Sequence, residues 1–291
     1  MRLVTFSPPT GTPRTGALVG EGVVDLTAAG LPADMAALIR IGPPTFAAAA
    51  DVIRGAAPIP RGDVRTHAPI ARPPKGVLCV GRNYREHATE FSRAGFDASE
   101  RSVLPEHPVI FTKAATSIIG PEDPIVLDND PTGTVDYEGE LAVVIGRGGQ
   151  RISKDEAPAH VFGYTIVNDV TARELQRRHV QWFLGKSADT FCPMGPAIVT
   201  ADELPDVGAS WLRTHVNGEL RQEAPISDLI FDVPTLIATI SATTSLEPGD
   251  VIATGTPVGT GMGADPPRFL AAGDRVEISI DGIGMLGNPV R

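Results

Sequence analysis

The chain has 291 residues and a mass of 30.5 kDa, is 42% hydrophobic and 21% charged, and has a mean hydropathy of +0.03. That is enough apolar material for one large domain, with or without a small appendage, and it excludes wholesale disorder. A net charge of −10, from 35 acidic against 25 basic residues, repels nucleic acid and anionic membrane, and no apolar run approaches the roughly 18 residues of a membrane span.

The opening MRLVTFSPPTGT lacks the long apolar stretch of a signal peptide and reads as a strand over 3–6. Two Ala-rich helices follow, over 32–41 and 45–54, separated by proline-bearing turns. Pro73-Pro74 can continue neither a helix nor a central strand, so a linker near 70 divides a small N-terminal α+β domain, 1–72, from the remainder, 73–291. From Gly76 the pattern is mainly β, with strands predicted over 76–80, 109–112, 141–145, 162–168, 211–216, 250–254 and 276–280. Asn217-Gly218 and Asp281-Gly282, each between apolar runs, predict two-residue hairpins. Helices are expected over 85–94, 172–181 and 233–242, and a polar loop over 97–107. Strands outnumber helices without alternating with them, which predicts a mainly β roll or sandwich with a few covering helices. The two cysteines, Cys79 and Cys192, both lie in apolar segments, where a reduced buried thiol is the common state; this suggests a cytoplasmic protein.

Four segments carry candidate chemistry. In DYEGELAVVIG, a strand period of two puts Glu138 and Glu140 on one face, about 7 Å apart along the chain, with Gly139 opposite, where another backbone can approach. Asp169 ends the apolar run FGYTIVND. Three carboxylates without His or Cys describe an oxygen-only site for Mg²⁺, with Mn²⁺ or Ca²⁺ as alternatives. Acidic pairs two apart are common, and from spacing alone the same residues read as a solvated strand end and a helix cap. In GRNYREHATE, His87 and Glu90 stand one helical turn apart, and a carboxylate beside an imidazole makes a water-activating base. An incidental surface pair has the same spacing. His67, His107, His160, His179 and His215 have no such partner and are taken as structural. The third segment holds Arg173 and Gln176 on one helix face, and Lys186 in a Gly/Ser loop. Arg173 and Lys186, together with Arg82 and Lys113, are the local cations an acidic protein needs to bind an anion. The three tyrosines, Tyr84, Tyr137 and Tyr164, fall in or beside the same segments. Fourth, PGDVIATGTPVGTG places a Gly/Thr loop at a strand end, suited either to a carboxylate or to a plain turn.

In this order, VGRNYREHATE, FTKAATSIIGP, DYEGELAVVIG, GYTIVNDVTARELQ, QWFLGKSADTFCPMGP, VNGELRQ and LEPGDVIATGTPVGTG resemble the fumarylacetoacetate hydrolase family over roughly residues 75–288. The resemblance implies a mixed β-roll core, a homodimer, and a divalent metal held by Glu138, Glu140 and Asp169. It also implies a His87–Glu90 dyad on a lid-like helix, an active-site Lys186, and Arg173, Gln176 and Thr256 lining the pocket, with Arg82, Tyr84 and Lys113 assigned to substrate. The expected reaction is hydrolysis of a C–C bond in a 2,4-dioxo acid of the acylpyruvate or fumarylpyruvate type, as in aromatic catabolism. Alternatives on the same site are oxaloacetate decarboxylation or tautomerisation and 2-hydroxy-dienoate isomerisation or hydration. A catalytically idle ligand-binding protein is the remaining one.

Overall fold

The fold is organised around the strand Gly139–Ile145, GELAVVI, in which every residue is buried. In the computed structural model, which describes residues 1–95 and 104–291, this strand has protein on both faces. Leu141, Val143 and Ile145 join one core with Leu212, Ile278 and Leu286 of a second sheet. Ala142 and Val144 join another with Leu38, Ile39 and Ala49 of the N-terminal helices. A strand buried on both sides reads as a continuous apolar run, as LAVVI does. Residues 97–103 of the predicted polar loop lie outside the described residues.

Among the described residues the large sheet has 12 strands. Its main path runs Ile59–Pro60, Gly22–Asp25, Arg14–Val19, Arg2–Ser7, Cys192–Thr200, Val161–Asn168, Gly139–Ile145, Val251–Ala253, Val77–Gly81, Val109–Lys113. Arg2–Ser7 pairs antiparallel with Cys192–Thr200, so the strands of the first seventy residues and those of the rest share one sheet. A four-stranded sheet of Glu219–Pro225, Trp211–Val216, Arg275–Ile280 and Gly284–Pro289 packs across the first. Gly139 sits at the crossing, where a Cβ would lie 2.4 Å from Thr214 Oγ1. Side chains, rather than the expected backbone, fill the space that Gly139 leaves.

The helices Met35–Ile41 and Pro43–Gly55 cover the N-terminal part of the sheet, the first capped by Asp34, whose carboxylate accepts the Ala37 amide at 2.7 Å. The predicted helix over 172–181 ends at Arg178. Val180 there has a φ of 60°, a conformation that a β-branched residue adopts only under constraint, and Gln181 N–H closes a tight turn on His179 O. A second short helix, Phe183–Lys186, follows, with Phe183 and Leu184 exposed, so Lys186 is the buried last residue of a helical turn and does not sit in a loop.

Cys79 and Cys192 are both buried and unpaired. Burial raises both thiols, Cys192 up to about 12. At mildly alkaline pH neither is expected to react with Ellman's reagent in the native protein, while both react after denaturation. One fast-reacting native thiol would contradict this packing.

Candidate active site and metal centre

Four neighbouring strands bring their functional ends to the same edge of the sheet. Val77–Gly81 and Val251–Ala253 are parallel, and their carboxyl ends lead into Arg82 and Thr254. Gly139–Ile145 runs antiparallel to Val251–Ala253, so it begins at that edge, and Val161–Asn168 runs antiparallel to it and ends there. Glu138, Glu140 and Asp169 therefore meet. The junction is fixed by the Glu138 amide donating to Asn168 Oδ1 at 3.0 Å and the Asp169 amide donating to Glu138 O at 2.8 Å.

The three carboxylates each offer one oxygen to a common space, these atoms lying within 4.8 Å of one another, and all three residues are buried. Lys186 Nζ donates to Glu138 Oε2 and Asp169 Oδ2, both at 2.7 Å. Lys113 Nζ lies 2.7 Å from Asp169 Oδ1 and also donates to the carbonyls of Val170 and Lys186. Arg173 Nη1 stands 2.5 Å from Glu138 Oε1, and its Nε donates to Asp136 Oδ2 at 2.9 Å. Burial would push Glu138 up, but Lys186 and then Arg173 outweigh it and hold the carboxyl below the usual carboxylate range. Burial would push Lys186 down, but Asp169 and Glu138 outweigh it and keep the ammonium charged. Among the described residues Glu140 has no ion-pair partner of its own and accepts the Gly255 amide at 2.8 Å. Burial, then Asp169 and Glu138, push its pKa well above the ordinary value.

This donor set fits a divalent ion. Three hard oxygen donors converge, Glu140 among them without an ion-pair partner among the described residues, where no thiolate or imidazole joins them either, which suits Mg²⁺, Mn²⁺ or Ca²⁺.

The helix Arg85–Arg93 stands over this group. His87 Nδ1 lies 3.0 Å from Glu90 Oε2, the i,i+3 contact expected from the sequence. Glu90 is anchored in turn by the Gly259 amide at 2.9 Å and the Thr260 hydroxyl at 3.0 Å. Burial raises the Glu90 carboxyl, but His87 and the donors of residues 259 and 260 outweigh it, so its pKa is lowered. The cavity beneath is small, ≈ 10 Å³, about one water molecule's worth. Its polar wall is the carboxylate trio with Lys186, Arg82 and His87; its apolar wall is Phe91, Phe111 and Trp182. Trp182 meets both phenylalanines edge-on, with ring centroids 5.8 and 5.2 Å away.

Of the residues singled out in the sequence, His87, Lys186, Arg82, Gln176 and Thr256 line this cavity with the three carboxylates. Arg173 and Lys113 stand behind it, engaged with protein carboxylates. Tyr84 lines a separate hollow of ≈ 610 Å³ with Trp211 and Pro225, and its buried hydroxyl has no partner among the described residues. Sequence reasoning missed Trp182, Phe91 and Phe111, and also Asp136 and Gln222. Gln222 Nε2 donates to Thr256 Oγ1 at 2.7 Å and so sets the hydroxyl's orientation. Asp136 lay in plain view beside Glu138, but its partners are distant in sequence.

Comparison with known proteins agrees with this geometry. Residues 76–291 match the family described as fumarylacetoacetate (FAA) hydrolase C-terminal. Over 228 residues, 78% of this chain and 73% of the relative, the sequence is 51% identical to the oxaloacetate tautomerase YisK of Bacillus subtilis (strain 168). It is 40% identical to the mitochondrial oxaloacetate tautomerase fahd2 of Xenopus laevis, covering 100% of this chain and 90% of that protein. A maleylpyruvate hydrolase from Sphingobium sp. SYK-6, solved in complex with manganese(II) and pyruvate, has the same fold, with a TM-score of 0.82 and 32% identity over 100% of this chain and 98% of that one. The carboxylate trio, the strand-rich fold and these matches lead to one conclusion: the chain belongs to the fumarylacetoacetate hydrolase family of metal-dependent enzymes.

Proposed function

We propose that the chain interconverts the keto and enol forms of oxaloacetate. The observation that carries this reading is the placement of His87, held by Glu90, on the same small cavity as Glu138, Glu140 and Asp169, in a chain 51% identical to a tautomerase over most of its length. The reaction needs a proton removed from C3 and one delivered to the 2-oxo oxygen. One C–H bond breaks, one O–H bond forms, and no water is consumed.

Glu138, Glu140 and Asp169 would hold the divalent ion, which when bound would supply Lewis acidity to the 2-oxo group. With Nδ1 turned to Glu90, His87 keeps Nε2 for the C3 proton, and Glu90 steadies the imidazolium that results. The Lys186 ammonium, fixed by two carboxylates, offsets negative charge building on the enolate oxygen. Arg82 and the Thr256 hydroxyl, oriented by Gln222, receive the substrate carboxylates. The cavity of ≈ 10 Å³ is smaller than a keto acid, and the helix Arg85–Arg93 and Trp182, which line it, are the elements whose displacement would enlarge it for substrate.

C–C bond hydrolysis is the second reading. The same dyad can deprotonate a water for attack on a 4-oxo carbonyl, and the likeness to a maleylpyruvate hydrolase favours it. An absorbance assay with EDTA-stripped protein, with and without added Mn²⁺, separates the two. Tautomerisation predicts faster ketonisation of freshly dissolved enol-oxaloacetate without pyruvate release, lost in EDTA and restored by Mn²⁺. Turnover confined to acetylpyruvate or maleylpyruvate would replace it with the hydrolase, and pyruvate release from oxaloacetate with a decarboxylase.

A further inference from the structure

The loop over residues 254–263 serves three acidic side chains from three parts of the site. The Gly255 amide meets Glu140 at 2.8 Å. The Gly259 amide and Thr260 hydroxyl take the two oxygens of Glu90, on the covering helix, at 2.9 and 3.0 Å. Next in the chain, the Gly261 and Met262 amides take the two oxygens of Asp136, at 2.7 and 3.0 Å. The glycines follow from this crowding. Gly259 has a φ of 104°, and a Cβ there would fall 1.9 Å from Arg221 O; a Cβ at Gly263 would fall 2.0 Å from Glu90 Oε1.

Asp136 continues the path inward. It is fully buried, and besides the two loop amides it accepts the Tyr137 amide at 2.9 Å and Arg173 Nε at 2.9 Å. The other end of the same guanidinium, Nη1, reaches Glu138 Oε1 at 2.5 Å and donates to Gln176 Oε1 at 3.3 Å. The planar, rigid guanidinium passes the position of Asp136 directly to Glu138. The covering helix and two of the three metal carboxylates are therefore fastened to one short stretch of backbone.

We propose that Asp136 is a positioning residue that couples docking of the helix Arg85–Arg93 to the geometry of the metal carboxylates. With Glu90 seated on residues 259 and 260, the adjoining amides hold Asp136, which aims Arg173 at Glu138. When the helix lifts, the same loop is released and the aim of Arg173 relaxes. Binding of the ion and docking of the helix then favour each other, and the effect is reciprocal. This inference rests on the trio holding a divalent ion and not on which keto acid is turned over.

The test uses the full chain, calorimetric titration with Mn²⁺, and amide hydrogen exchange of residues 85–93 with and without Mn²⁺. In the parent protein Mn²⁺ should slow that exchange. In Asp136→Asn the Mn²⁺ dissociation constant should rise roughly 10–100-fold, the range for a residue that orients a metal ligand, and saturating Mn²⁺ should no longer slow exchange. Thr260→Val, which removes a hydroxyl from Glu90 alone, should weaken Mn²⁺ about fivefold or more through the reciprocal effect. If Asp136→Asn does not fold, Thr260→Val decides alone. Unchanged Mn²⁺ affinity in the folded variants, even with a lowered melting temperature, overturns the proposal, as does parent exchange indifferent to Mn²⁺. Neither readout contains substrate, so failure of the oxaloacetate assay would leave the coupling standing.

Discussion

Glu140→Gln is expected to remove metal binding while leaving the fold intact. The three carboxylates of the trio are not equivalent. Asp169 and Glu138 are each gripped by buried cations, so truncating Asp169 would strand Lys113 and Lys186 and cost about 3–5 kcal/mol of stability. Glu140 has the Gly255 amide and two like charges within 4.8 Å. Without a metal its charge is a net burden on the folded state. A carboxyl whose pKa is raised by folding weakens the native state above its unfolded pKa, and an amide of the same shape removes that cost. Calorimetry should show Mn²⁺ affinity falling by more than the roughly 100-fold upper range seen for outer partners, with activity lost alongside. The melting temperature in EDTA should be equal to or above that of the parent. A variant that still binds Mn²⁺ tightly, or that unfolds, would contradict this division of roles.

His87→Ala should show the opposite signature, with metal affinity largely retained and turnover lost. The imidazole touches Glu90 and faces the cavity without belonging to the trio. A positioned base contributes about 10²–10⁴-fold, so kcat should fall by that factor while circular dichroism stays unchanged and the Mn²⁺ dissociation constant rises by no more than in Thr260→Val. An unaltered kcat would remove His87 from the proton transfer. Read side by side, the two variants separate the group that holds the ion from the group that moves the proton.

The local patterns were legible because short-range geometry decides them. Period-two spacing put Glu138 and Glu140 on one face, the i,i+3 spacing of His87 and Glu90 produced a contact, and the Asn217-Gly218 turn has the positive φ values that its residue types predict. The strand Cys192–Thr200 escaped, although it is buried throughout, because Pro193 and Pro196 argue against a central strand. Cations were the harder case. A sequence shows that Lys113, Lys186 and Arg173 lie near acidic segments, but not whether each meets a ligand or a protein carboxylate. That depends on contacts such as Asp136 with Arg173, 37 residues apart, and Lys113 with Lys186 O, 73 apart. Trp182 escaped for the same reason, since its indole is placed by Phe91 and Phe111 from two other elements.

Anomalous diffraction at the manganese edge, from crystals of the full chain grown with Mn²⁺, addresses the divalent site most directly. One peak per chain, within bonding distance of Glu138, Glu140 and Asp169 together and lost in Glu140→Gln, is the predicted result. A peak elsewhere, or none at a Mn²⁺ concentration that supports full turnover, would contradict it.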